Sequence, residues 1–449
     1  MRRADPPYLT TNNSMLSVDT LGASPEPLRA DATDSLVSAY LRVRAVTEAL
    51  TEPLTAEDQQ LQSMPLCSPT KWHRGHTTWF FDTFLLEPQG LGVASSHYKL
   101  IFNSYYEALG PRHPRPRRGI LSRPTAAEVT DYRRSVDERL VEWVQRLDPQ
   151  QLRELRPLMD LGLAHEQQHQ ELLLTDILHA FAQNPLYPSY RSLESSPAAE
   201  PRGSDPGQLG WAQFESGLVD IGAPASAPFV FDNERPRHRV WLEPFALSTR
   251  LVTVEEMKAF IDADGYRTPS LWLSDGYDWV RAHGIEAPLY WHLSDTLQVF
   301  GLDGLRRPDK NEPVSHVSYY EADAVARFLG VRLPTEQEWE AASASAPTNG
   351  NFRESGALRP LPAARPSDRL SSMFGDVWEW TQSSYAPYPG YHPGAGALGE
   401  YNGKFMVNQH VLRGGSCLTP AGHVRRSYRN FWHPETRFQM TGIRLAQSL

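Results

Sequence analysis

Four long stretches of helical periodicity stand ahead of a break rich in Pro, Ser, Gly and Ala, and nothing after the break repeats their pattern. The first, DSLVSAYLRVRAVTEALTEPL, spaces Leu36, Tyr40, Val43 and Val46 at helical intervals, with Asp34 as the expected N-cap. The second, SPTKWHRGHTTWFFDTFLL, enters through Ser68 and Pro69 and continues as an aromatic-rich helix. The third, TAAEVTDYRRSVDERLVEWVQRL, places Thr125 ahead of Glu128, a capping-box pattern. The fourth is LRPLMDLGLAHEQQHQELLLTDILHAF. Helices of this length bury their apolar stripes best against one another, so residues 31–187 are expected to form a four-helix bundle.

The break, YPSYRSLESSPAAEPRGSDPGQLGW, reads as a linker over residues 188–209, and the polar, Pro-, Asn- and Thr-rich residues 1–30 as a disordered tail. Residues 210–449 change style. Short β-like segments such as HRVWLEPFALSTRLV alternate with loops of Gly, Pro and Trp, and helices are expected after the caps Thr253 and Ser318 and within LPTEQEWEAAS. This predicts an α+β domain with little regular secondary structure. A chain of 449 residues exceeds what one core organises, which suits the division. The net charge of −9 argues against a nucleic-acid-binding surface. No uncharged run approaches the roughly 20 residues that span a bilayer, and the first residues carry no apolar stretch of a signal peptide. Two cysteines, Cys67 and Cys417, give no disulfide framework and favour a reducing, cytoplasmic setting.

Within the fourth stretch, His165-Glu166-Gln167-Gln168-His169 matches the H-E-x-x-H pattern of zinc peptidases. Residues four apart share a helical face, so His165 and His169 can grip one ion. Pairs of ordinary histidines also occur at this spacing. A peptidase needs Glu166 poised over a metal-bound water and a third ligand downstream, and the H-x-x-G-x-x-H extension is absent. Upstream, KWHRGH offers His73 and His76. His76 is preferred as the third imidazole because it shares a face with Trp72, Trp79 and Phe80, the expected buried stripe; His73 is expected to be solvated. Three imidazoles from two helices would leave coordination positions open for substrates.

SPTKWHRGH followed by HEQQHQE resembles the DinB-like metal-binding bundle of the ergothioneine-type sulfoxide synthases, also called hercynine oxygenases. PVSHVSYYEADAVARFLGVRLPTEQEWEAA, GDVWEWT, VLRGGSC and RRSYRNFWHP with TGIRLA resemble their second domain, the formylglycine-generating (sulfatase-modifying factor) fold, a variant of the C-type lectin fold. The resemblance implies an enzyme that joins a cysteine-derived sulfur to C2 of the imidazole of hercynine (Nα-trimethylhistidine) with O2 and non-haem Fe(II), giving a sulfoxide. It implies His76, His165 and His169 as iron ligands and Gln168 as a hercynine contact, unless that amide is merely solvated.

The remaining site residues are also implied by the resemblance. Tyr105 and Tyr106 match the branch that uses free cysteine, as proton donors to oxygen at the iron, although a buried tyrosine is more often structural. Arg112, Arg115, Arg117 and Arg118 are either a solvated basic loop or, through Arg115 and Arg118, a clamp on the cysteine carboxylate. In the γ-glutamylcysteine branch the C-terminal motif resembles R-N-W-D with an Arg four residues later. Here Asn430 matches, Phe431 and Trp432 replace the Trp and Asp, and Thr436 replaces the Arg. The charged pair is gone, which points to L-cysteine. Asn430 and Phe431 would still suit hercynine, the ring facing its trimethylammonium group, unless Phe431 and Trp432 are core. The alternatives are a γ-glutamylcysteine or selenosugar donor, an ovothiol-type synthase, which usually carries a further C-terminal methyltransferase, and a non-catalytic lectin-like binding protein. A formylglycine-generating activity would need a pair of copper-binding cysteines in the second domain, where Cys417 stands alone.

Overall fold

The computed structural model describes residues 31–191, 209–363, 370–394, 399 and 402–449. The expected tail, and the linker apart from residues 188–191 and 209, lie outside them. The first half contains α1 (Asp31–Thr51), α2 (Thr70–Phe81), α3 (Ser96–Phe102), α4 (Ala126–Val144) and α5 (Pro149–Ala182). Helices α1, α2, α4 and α5 form the bundle; α2 packs against α4 and α5, and α1 closes the other side.

Local chemistry sets the starts. Thr125 and Glu128 form the expected capping box on α4. Asp148 caps α5 through Gln150 and Gln151, with Pro149 at the first helical position. Helix α1 begins at Asp31, so Asp34 lies inside its first turn and is not the cap. Its buried stripe runs through Leu36, Tyr40, Arg44 and Thr47, with Val43 and Val46 half-buried.

Helix α2 departs most from expectation. Every residue from Thr70 to Phe81 is buried, so it has no wet face. A helix with this many polar groups can sit inside only if most of them are satisfied. Lys71 donates to Pro124 O at 2.9 Å, and Arg74 reaches Gln59 at 3.0 Å and Thr130 at 2.7 Å. A glycine on α5 leaves room for aromatic rings of α2. A Cβ on Gly162 would stand 2.6 Å from the Phe81 ring and 3.1 Å from Phe80. Alanine at an ordinary helix glycine stabilises by about 1 kcal/mol. Gly162→Ala is instead expected to cost about 1–3 kcal/mol through overpacking, read as a lower denaturation midpoint.

The second half is built of short pieces. β1 (Trp211–Phe214), β4 (Phe245–Ser248) and β12 (Ala446–Ser448) form an antiparallel sheet that returns the end of the chain to the start of this half. β2 (Gly217–Ile221) pairs with β3 (His238–Leu242), and β5 (Trp291–His292), β6 (Gln298–Gly301) and β7 (Gly304–Arg306) make a small meander. The sheet nearest the site has the order β10 (Asn430–Trp432), β9 (His410–Arg413), β8 (Trp378–Ser384), β11 (Thr441–Gly442). Helices α6 (Val254–Asp262), α8 (Tyr319–Phe328) and α9 (Glu336–Ala342) carry capping boxes from Thr253, Ser318 and Thr335. Helix α7 (Ser274–His283) was not expected; it starts after Leu273 with no side-chain cap.

The motif charges of this half are structural. Arg413 of VLRGGSC pairs with Glu336 at 2.8 Å and Glu340 at 3.0 Å on α9. Arg444 of TGIRLA holds Glu379 of GDVWEWT at 2.7 Å. All are buried; the first set fixes β9 to α9, and the second ties the segment between β11 and β12 to β8. No helix among the described residues is long and apolar enough to cross a membrane.

Candidate metal centre

Helices α2 and α5 bring His76, His165 and His169 together, one candidate ligand atom from each, all within 4.8 Å of one another. His76 Nδ1 lies 2.6 Å from Phe102 O, at the end of α3. A carbonyl only accepts, so that nitrogen carries the proton and Nε2 presents a lone pair. This Nε2 stands 3.1 Å from His165 Nε2. Imidazole bonds a first-row metal at about 2.1 Å, and two such bonds at right angles separate their nitrogens by about 3 Å. The donor set therefore fits such an ion. Burial, then the neighbouring His165, pushes the pKa of His76 well down; burial, then His165 and His76, does the same to His169, and burial pushes His165 down to about 3. All three are thereby held in the neutral, ligating form. The His76 ring is stacked between Trp72 at 4.6 Å and Trp79 at 5.7 Å.

The peptidase reading fails on Glu166. One residue along the helix turns it about 100° away from His165, into the opposite side of the bundle. There its carboxylate accepts from Arg44 at 2.9 Å, Arg133 at 2.9 Å and Thr47 at 2.6 Å. Burial would raise its pKa, but the two guanidinium groups hold it at about 2. It is a bundle anchor with no route to a metal-bound water.

His73 also departs from expectation. Expected in solvent, it is buried, because α2 has no solvent face. Its ring sits between His169 at 2.8 Å and Asp176 at 3.0 Å.

A cavity of about 300 Å³ opens onto His165 and His169 where the two halves meet. Gln168 lines it and donates to the Tyr428 hydroxyl at 2.7 Å. Arg118 is buried on the wall, lying 3.4 Å over the Trp72 ring and donating to Ser68 at 2.9 Å and Ser104 at 3.2 Å. Arg115 also lines the cavity, half-buried, and donates to Leu66 O. The two arginines share a 3₁₀ turn over Arg115–Ile120. Tyr105 lines the cavity; Tyr106 does not, lying behind it against Trp79 and Phe84. From β10, Asn430, Phe431 and Trp432 all reach the wall. Phe431 stacks on Tyr385 at 4.0 Å, and Asn430 Oδ1 accepts from the Phe431 N–H at 2.9 Å.

Protein-family comparison matches residues 39–173 to the DinB superfamily, and residues 211–365 and 351–449 to the sulfatase-modifying factor enzyme 1-like domain. A hercynine oxygenase of Mycolicibacterium thermoresistibile is 31% identical, in an alignment covering 94% of this chain and 95% of that protein. The chain belongs to the hercynine oxygenase family. A second hercynine oxygenase, from Mycolicibacterium smegmatis, is 30% identical over 86% of this chain and 92% of its own length. A formylglycine-generating enzyme of Streptomyces coelicolor is 28% identical over 52% of this chain and 85% of its own length.

Several wall residues of this hercynine oxygenase family member escaped sequence reasoning. Tyr428 sits in the same RRSYRNFW motif as Asn430, so a signal existed. Trp378 likewise sits in GDVWEWT, while Asn233 and Phe405 come from separate segments with no shared pattern. Helix α5 joins the halves: Glu171 accepts from Ser416 at 2.6 Å, Thr419 at 2.7 Å and Trp378 at 2.8 Å. Gln167 meets His423 at 3.1 Å, and His423 meets Tyr428 at 3.1 Å.

Burial, then the Arg425 charge, pushes His423 down to about 3, and burial pushes His316 down to about 4. Both are neutral when folded and take a proton near 6.5 when unfolded. Their contribution to stability is complete above pH 6.5 and is lost as pH falls toward 3–4. Each adds a slope of about 1.4 kcal/mol per pH unit inside that window. Thermal melts from pH 7 to 4.5 are expected to show it, with a shallower slope for His423→Gln.

Proposed function

We propose that this chain joins the sulfur of L-cysteine to C2 of the hercynine imidazole, with O2 as oxidant and iron(II) held by His76, His165 and His169, and leaves the product as a sulfoxide. The observation that carries this reading is the shared cavity: two candidate metal ligands, Gln168 and a buried guanidinium on the bundle side face an aromatic strand on the other. The reaction balances. C2–H and S–H are lost, O2 takes up four electrons, one oxygen becomes the sulfoxide and the other leaves as water with the two hydrogens. Iron(II), when bound to three neutral imidazoles, would supply open positions and the redox chemistry O2 requires.

The protein's own groups do the rest. The Phe431 ring offers its face to the trimethylammonium cation, and Gln168, braced by Tyr428, offers its amide to the imidazole. Arg118 makes no ion pair among the described residues, and burial, then the charge of Arg115, works against its cation. A carboxylate arriving with the substrate would supply the missing counter-charge. Arg429, the next guanidinium on the wall, is already committed to Glu336 at 2.9 Å. Among the described arginines that line the cavity, the Arg115–Arg118 pair remains to recognise an anion, which favours cysteine over γ-glutamylcysteine, whose second carboxylate needs its own partner. Tyr105 can hand a proton through its phenol oxygen, with the Tyr106 ring tilted behind it at 4.6 Å.

Product mass and rate with hercynine, O2 and each thiol in turn test the donor. Cysteine is expected to give the sulfoxide adduct with the higher kcat/KM; equal or faster turnover of γ-glutamylcysteine, or turnover of a selenosugar alone, overturns that choice. Arg118→Met is expected to raise the KM for cysteine about 10- to 100-fold, the worth of a charge-assisted contact, with little change in the KM for hercynine. Tyr105→Phe is expected to slow turnover about 100-fold or more, and Tyr106→Phe far less; steady-state rates decide.

A further inference from the structure

We propose that His73 and Asp176 are positioning residues that hold His169 with its proton on Nδ1, leaving Nε2 as the atom that meets the metal. The inference rests on the three-histidine reading of the site and goes beyond it. His73 lies on α2, three residues before His76, with its ring wedged between two groups of α5. Its Nδ1 is 2.8 Å from His169 Nδ1, and its Nε2 is 3.0 Å from Asp176 Oδ2. Asp176 is seven residues beyond His169, two helical turns along the same face. The same carboxylate oxygen accepts the Ser68 N–H at 2.7 Å. His73 and Asp176 are both buried, so water does not compete for these bonds.

The donor directions follow from what each atom can do. An ionised carboxylate only accepts, so His73 Nε2 carries the proton. One of the two facing ring nitrogens must donate across the 2.8 Å contact; with the single proton of His73 committed to Asp176 through Nε2, its Nδ1 accepts and His169 Nδ1 is the donor. The neutral His169 ring is left with its lone pair on Nε2. A ligating histidine usually donates its other N–H to a carboxylate or carbonyl, which fixes ring orientation and raises basicity. His76 does so directly, to Phe102 O. His169 does so through an interposed imidazole, so the charge of Asp176 reaches the ligand one ring further away. Ser68 also accepts from Arg118, so the support of His169 and the proposed carboxylate site share one residue.

The test uses the full-length protein without oxygen, Co(II) as the metal probe read by its visible spectrum, and ¹⁵N–¹H correlation of the histidine rings in the metal-free protein. Wild type is expected to show His169 protonated at Nδ1. His73→Phe, which keeps a flat ring but no hydrogen bonds, and Asp176→Asn are expected to weaken Co(II) binding about 10- to 100-fold. His73→Phe should also mix the His169 tautomers, and His73→Gln, which can still accept from one side and donate to the other, should restore binding to within a few-fold. Unchanged Co(II) affinity in both His73→Phe and Asp176→Asn overturns the proposal, even if either variant melts at lower temperature. So does a wild-type His169 protonated at Nε2. His165→Ala binding Co(II) as tightly as wild type would instead overturn the three-histidine site, and the proposal with it.

Discussion

Glu166→Gln is expected to remove about 3–5 kcal/mol of folding stability, enough to unfold much of the bundle at physiological temperature. The carboxylate is fully buried and faces two guanidinium groups, each at 2.9 Å, that come from two other helices. Arg44 also reaches Asp137 at 2.8 Å, and Arg133 also reaches Glu48 at 2.6 Å. Those partners are more exposed and cannot compensate the pair in the interior. An amide in place of the carboxylate leaves two buried cations facing a neutral group. In a zinc peptidase the same change would abolish turnover and leave the fold intact. Chemical denaturation of the variant separates the two: a shift in midpoint of the stated size supports the anchor, and an unchanged midpoint contradicts it.

His76→Leu is expected to abolish tight Fe(II) binding and turnover while shifting the melting temperature by only a few degrees. Leucine fills much of the imidazole volume between Trp72 and Trp79, so the α2 packing survives. It leaves Phe102 O without its donor, a cost of about 1–3 kcal/mol. It also leaves two imidazoles where three converge, and the remaining pair on one helix cannot enclose an ion from a second side. Anaerobic Fe(II) titration followed by a melt of the same sample checks both halves. Metal binding retained at wild-type strength would remove His76 from the ligand set.

The bundle was legible where local chemistry marks it: Thr125 with Glu128 starts α4 without tertiary context, whereas α5 begins at Pro149 behind its Asp148 cap, ahead of the stretch expected from Leu155. The convergence of His76 with His165 and His169 was legible for the same reason, as an i,i+4 pair plus one imidazole on a neighbouring helix. Burial was not. Helical amphipathicity assumes one wet face, and α2 has none, so the environments of His73 and Arg74 were hidden. Glu166 was hidden too, since its partners Arg44 and Arg133 lie 122 and 33 residues away. The wall residues Phe405 and Asn233 come from loops and short turns that no local pattern ties to the site, whereas Trp378 and Tyr428 sat in motifs whose facing could not be read without the register of β8 and β10. Helix α7 lacked the kind of cap that revealed α6 and α8.

The most direct measurement is diffraction at the iron edge from crystals grown with Fe(II) in the absence of oxygen. The expected result is one anomalous peak at about 2 Å from a ring nitrogen of each of His76, His165 and His169, with the carboxylate of Glu166 still turned toward Arg44 and Arg133. A peak beyond bonding reach of His76, or one coordinated by Glu166, would contradict the account.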